Sequence, residues 1–151
     1  MMRGILIVLP FLVVGCFPPQ PPQKDPQEEI EELNGTWKVV SKRIDGFELV
    51  ELKKTEEFIT FKHGEFTWFD STGPAGKIVS IDPSKNPKEI DYQYKEGAMK
   101  GKTFKAIYKL YGDTFTDCFG PDGETNRPID FHSNRFNKLT VQVYQRVKKK
   151  E

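Results

Sequence analysis

Residues 103–119 read TFKAIYKLYGDTFTDCF, and their spacing decides the fold. Phe104, Ala106, Tyr108 and Leu110 fall on every second position, which gathers them on one face of an extended chain and on no single face of a helix. Gly112-Asp113 interrupts the run and Thr114–Phe119 resumes it. Two such runs across a Gly-Asp pair predict an antiparallel hairpin.

The pattern continues outward in both directions. Towards the N-terminus it predicts strands over Thr36–Ile44, Glu57–Lys62, Glu65–Phe69, Lys77–Ile81 and Glu89–Lys95. They are punctuated by Asp45-Gly46, the charged connection Glu48–Glu56, His63-Gly64, Gly73-Pro74-Ala75-Gly76 and Asp82-Pro83, residue types that turn the chain. Towards the C-terminus an irregular stretch, Gly120–Asn137, carries a short extended piece at Ile129–Phe131 and precedes a last strand, Leu139–Val147. The inward faces expected from alternation are Trp37 with Val39, Phe66 with Trp68, Ile78 with Ser80, Ile90 with Tyr92 and Tyr94, and Leu139 with Val141 and Val143, with Val79 and Ile81 competing on their strand. Gln27–Leu33 spaces Ile30 and Leu33 helically among acids, which predicts a short helical turn before the first strand. The expected architecture is all-β: an eight-stranded antiparallel up-and-down barrel, closed so that no edge is left unpaired.

Ahead of the domain, Met1-Met2-Arg3 and the apolar stretch Gly4–Val14 have the layout of a secretory signal. As a helix at 1.5 Å per residue the stretch would span about half of a ~30 Å hydrocarbon core, too short to stay as a membrane span. Leu12-Val13-Val14-Gly15-Cys16 resembles the lipobox of bacterial lipoproteins, with a small residue before the cut and a thiol that takes the lipid. The expected organisation is a signal peptide at 1–15, a lipidated Cys16 with a proline-rich tether to 32, and a barrel domain at 33–148. Two or three palmitate-like acyl chains would anchor the protein firmly, and Phe17 after the Cys favours an outer-membrane destination. Phe17–Pro26 holds five prolines in ten residues, a semi-stiff spacer of roughly 30 Å.

Composition narrows the function classes. The 23 Lys and Arg face 22 Asp and Glu, and loss of Arg3 with the signal balances them, so nothing points to nucleic acid as a partner. The two cysteines, Cys16 and Cys118, give no disulfide framework once Cys16 is acylated, and the domain must hold by core packing.

Asn34-Gly35-Thr36-Trp37 opens the first strand and resembles the Gly-x-Trp signature of lipocalin-like barrels, with Arg146 on the last strand matching the basic residue that stacks over that Trp. In a closed barrel those strands are neighbours, and a guanidinium over an indole locks the seam through a cation–π contact. From Leu33 to Arg146 the chain is similar to the uncharacterised lipocalin-like domain of planctomycete secreted proteins. The similarity is carried by Leu33–Trp37, Asp45-Gly46, Ile81-Asp82, Asn86–Asp91, Gly101-Lys102, Ala106–Tyr108, Gly112–Thr114, Cys118, and Arg127-Pro128 with Phe131. Asp117 before the Cys and the lipid-anchored start depart from the pattern. The resemblance implies a fold, and no activity comes with it.

Candidate chemistry is sparse. His63 sits at a hairpin tip, and His132 lies in the irregular stretch after Cys118, where a Cys/His nucleophilic pair is conceivable. Neither histidine has metal-ligand spacing. Asp113, Asp117, Asp122 and Glu124 surround a Gly-rich turn without the alternating oxygens of a calcium loop. Arg127-Pro128 suits closure of a barrel end or contact with an anionic group. The charged end Lys148–Lys150 suits water, with anionic lipid headgroups as the minor alternative. The expected function is a membrane-anchored envelope module for binding or interaction, its barrel largely filled, with no catalytic residues, metal or cofactor. A carrier of a small apolar ligand is the alternative, with Trp68, Phe66, Tyr92, Phe104, Tyr108 and Arg127 as its expected lining.

Overall fold

Asp25 caps the first helix, its carboxylate accepting from Gln27 N at 2.7 Å, and Pro26 starts it where a missing N–H costs nothing. Helix α1 (Pro26–Leu33) then gives way to β1 (Gly35–Ile44). The computed structural model describes residues 24–48, 56–68, 75–121 and 126–148. The signal segment, Cys16, residues 17–23 of the tether, residues 49–55, Phe69, Gly73-Pro74, Asp122, Glu124 and Lys149-Lys150 lie outside the described residues.

The remaining strands are β2 (Phe47–Glu48), β3 (Phe58–Lys62), β4 (Glu65–Trp68), β5 (Gly76–Asp82), β6 (Lys88–Tyr94), β7 (Thr103–Tyr111), β8 (Thr114–Phe119) and β9 (Thr140–Arg146). Neighbours in sequence pair antiparallel, and β1 returns to pair with β9, so eight strands form a closed barrel with the two-residue β2 attached to β1. This is the up-and-down, lipocalin-like architecture. His63 and Gly64 both take positive φ, 50° and 79°, the conformation that a tight hairpin with right-twisted strands requires.

Rings fill the interior. Phe115 packs against Trp37, Phe61, Tyr108 and Tyr144 at centroid distances of 5.2–6.2 Å. Phe66, Tyr92, Tyr94 and Phe104 continue the cluster. Gly76 is required by this packing, because a Cβ there would collide with the Phe66 ring and come within 2.6 Å of Gln93 O.

Two expected faces and one expected extended piece are corrected. On β9 the buried residues are Thr140, Gln142 and Tyr144, with Val141 and Val143 only half-buried on the outer side. Tyr144 is held by stacking on Phe115 and Gln142 by an interior polar cluster, so apolarity alone picks the wrong parity. On β5 the register shifts between Ile78 and Ser80, a bulge that leaves Ser80 exposed and turns Ile81 inward. Ile129–Phe131 forms bends rather than an extended piece, and Ile129 is exposed.

Candidate functional site

The barrel has two unlike ends. At the closed end α1 lies across the opening and buries Glu29 and Leu33 completely. Trp37 Nε1 donates to Leu33 O at 2.8 Å, tying β1 to the helix. The Arg146 guanidinium lies 4.1 Å from the Trp37 ring and donates to Asn34 O and Glu32 O, both at 2.7 Å. It also pairs with Asp113 at 3.3 Å. Gly35, at φ 125°, would place a Cβ 3.2 Å from that guanidinium, which explains a glycine beside the Trp.

Glu29 is answered on several sides. Lys88 Nζ reaches it at 2.5 Å, the Tyr108 hydroxyl donates at 3.0 Å, and Lys24 stands 3.5 Å away. Lys88 and Tyr108 both contact Oε1, while Oε2 has no hydrogen bond and faces only the Lys24 ammonium, so this buried carboxylate is balanced by cations of the chain.

At the open end Phe66, Trp68, Tyr92, Tyr94, Phe104 and Asp117 line a partly open cavity of about 20 Å³, with Gln142 and Tyr144 beside them. That is room for about one water. Asp117 is 4% exposed. Tyr92 and Tyr144 donate to its Oδ2 at 3.4 and 3.5 Å, long for O–H···O contacts. The Tyr144 hydroxyl also makes a much shorter bond to Gln142 Oε1, and it has a single proton to give. Asp117 Oδ1 has no hydrogen-bond partner.

Burial pushes the Asp117 carboxyl up to about 7, with the two tyrosine hydroxyls and the field of Lys42 opposing the rise. Burial likewise holds Tyr92 and Tyr144 well above the ordinary tyrosine range, with the Asp117 charge adding to it. No titrating cation stands within hydrogen-bond distance of Asp117 among the described residues.

Four of the expected lining residues, Trp68, Phe66, Tyr92 and Phe104, therefore meet around one cavity. Tyr108 belongs to the closed end with Glu29. Arg127 is not in the interior: it lies across the outer wall, 2.7 Å from Asp91 and 3.2 Å from Glu89, and donates to Ala106 O at 2.6 Å. Glu89 and Asp91 alternate with inward Ile90 and Tyr92 on β6, so a residue that pairs with them is outside. Arg127 thus straps the 126–139 segment to β6 and β7 and closes neither end.

Under that segment Cys118 is fully buried, its thiol donating to Asp130 O at 3.6 Å. Burial, with the charges of Asp117 and Asp130, pushes the thiol up to about 12, away from nucleophilic thiolate. His63 N donates to Asn34 Oδ1 at 2.8 Å in its turn. Asp113 is engaged by Arg146 and Lys148 while Asp117 faces the interior, so the two described members of the acidic group are apart. Among the described residues no three His, Cys, Asp or Glu side chains gather as a metal site, and no helix is long and apolar enough to cross a membrane. An outer groove of about 330 Å³ is bordered by Lys88 and Lys109, already engaged by Glu29 and by the Phe131 ring at 4.4 Å.

Sequence reasoning missed Asp117 as an interior residue, although Phe115, Asp117 and Phe119 share the parity of one face. An acid on an aromatic face was the available signal. Compared with protein-family models, curated proteins and solved structures, the chain matches none.

Proposed function

We propose that this protein is a membrane-anchored lipoprotein of the cell envelope, exported and lipidated at Cys16, whose folded part is a lipocalin-like module for binding or interaction. The lipobox at Leu12–Cys16, the apolar run before it and the proline-rich tether after it support export and anchoring. Phe17 favours the outer membrane. The Trp37–Arg146 seam supports kinship with the lipocalin-like domain of planctomycete secreted proteins, and the described residues offer no catalytic constellation.

The observation that carries the module reading is the interior. A cavity of about 20 Å³ is far below the few hundred Å³ that a small-molecule carrier needs. The barrel therefore works through its outer surface and its mouth, where Phe47 and Phe136 stand 69% and 84% exposed on the two segments that the Gly46 N to Ser133 Oγ hydrogen bond joins.

Two measurements test this reading. Cys16→Ser is expected to leave the protein unprocessed or to release it from membranes, and unchanged processing and partitioning would remove the anchor. A native mass spectrum is expected to give the mass of the lipidated polypeptide alone. A co-purified apolar molecule would replace the filled module by a carrier.

A further inference from the structure

We propose that the mouth of the barrel is a binding site for a small organic ammonium group, with Asp117 as its counter-ion and the surrounding rings as its walls. The proposal deepens the reading of the domain as a binding module and rests on it. Three observations converge on one place. The first is a carboxylate 4% exposed whose Oδ1 has no hydrogen-bond partner, an arrangement that costs free energy until a donor supplies the missing bond. The second is a cavity of about 20 Å³ against that carboxylate, the size of a water and hence of an –NH3+ head. The third is the lining: Phe66, Trp68, Tyr92, Tyr94 and Phe104 present aromatic rings to the same space, and ring faces attract cations.

The same chemistry sorts the alternatives. An anion would meet the Asp117 charge in a medium where repulsion is poorly screened. A neutral apolar molecule would leave Oδ1 as unpaired as before. A metal ion would need several hard oxygens, and the site supplies one carboxylate. A primary ammonium brings three donors and a positive charge on a head that fits, and its alkyl tail can lie against Trp68 and Tyr94, which are hydrogen-bonded to each other at the rim and both partly exposed.

Among the described residues the ionisable groups that feel Asp117 are Tyr92 and Tyr94 of β6, Cys118 beside it on β8, Tyr144 of β9 and Lys42 of β1, and the Lys42 ammonium is engaged by Glu57 at 3.1 Å. Binding of the ammonium to the carboxylate form must displace the proton that burial favours. Affinity therefore rises as pH climbs from about 5 to about 8.

The probe is n-butylammonium, titrated into the intact protein and followed by Trp68 fluorescence and by the backbone amide shifts of Tyr92, Asp117 and Tyr144. Saturable millimolar binding is expected, with n-butanol weaker by at least about tenfold, as the loss of a charged hydrogen-bond pair implies. Bulky tetramethylammonium, which offers no N–H, is expected to be weaker still. Asp117→Asn is expected to abolish the preference for butylammonium over butanol. Equal responses to the two probes, no saturation in the millimolar range, pH-independent binding, or an unchanged preference in Asp117→Asn would each overturn the site. The butanol comparison needs no variant and holds whether or not Asp117→Asn folds. Failure here with a ligand-free native mass spectrum removes the ammonium site and keeps the module, whereas a co-purified apolar ligand removes the module reading itself.

Discussion

Among the described residues two carboxylates are buried in this barrel, one towards each end, and the chain treats them differently. Glu29 at the closed end is met by Lys88 at 2.5 Å and by the Tyr108 hydroxyl at 3.0 Å. Asp117 at the open end has two distant tyrosine hydroxyls on one oxygen; each acid keeps one oxygen without a hydrogen bond, but that of Glu29 has Lys24 at 3.5 Å, whereas no cation pairs with Asp117 among the described residues. A buried acid given a cation by its own chain fastens a helix to a barrel. A buried acid denied one keeps its proton to higher pH and stays ready for an outside donor.

The largest expected effect lies at the open end. Asp117 holds its proton more tightly in the folded state, so its contribution to stability is present in full below the unfolded value near 3.8 and is lost as pH rises through about 7. Asp117→Asn removes that loss. It is expected to raise the unfolding free energy by up to about 4 kcal/mol at pH 8 and to change little near pH 4. Denaturant melts at the two pH values check it, and a uniform effect would break the contrast between the ends.

At the closed end the sign reverses. Arg146→Ala strips two charge-assisted bonds to Asn34 O and Glu32 O and the cover over Trp37. It is expected to cost about 3 kcal/mol in the same melts, and a loss below about 1 kcal/mol would mean that the seam holds without its clasp. Lys88→Met leaves Glu29 with Tyr108 and the more distant Lys24. Because Lys88 is itself partly exposed, a cost of about 2 kcal/mol is expected, largely recovered by adding Glu29→Gln. Additive losses in that double variant would show that the pair is not coupled.

Where side-chain parity and apolarity agreed, the sequence was easy to read. Phe104, Ala106, Tyr108 and Leu110 turn inward as their spacing requires, and β7 and β8 meet across Gly112-Asp113. Glycine beside Trp37 and arginine on the last strand likewise had a geometric reason to meet. Where the two criteria parted, the reading failed. Val141 and Val143 advertised an inner face, but β9 turns Gln142 and Tyr144 inward because a polar cluster around Asp117 occupies that part of the core. A bulge between Ile78 and Ser80 changes parity in mid-strand, and no local residue type announces it. Arg127 looked like a plug because an arginine beside a proline in a long loop has no periodicity to show which side of the wall it takes. Asp117 sits close to a Gly-rich turn in sequence, yet its parity with Phe115 places it inside.

The most direct test follows the Asp117 carboxyl carbon by NMR through a pH titration of the intact protein. The contrast between the two ends predicts a midpoint near 7, the value to which burial drives this group. A midpoint near the ordinary aspartate value of about 4 would mean that water or an unrecognised cation already satisfies Asp117, and the distinction between the fastened end and the receptive one would fall with it.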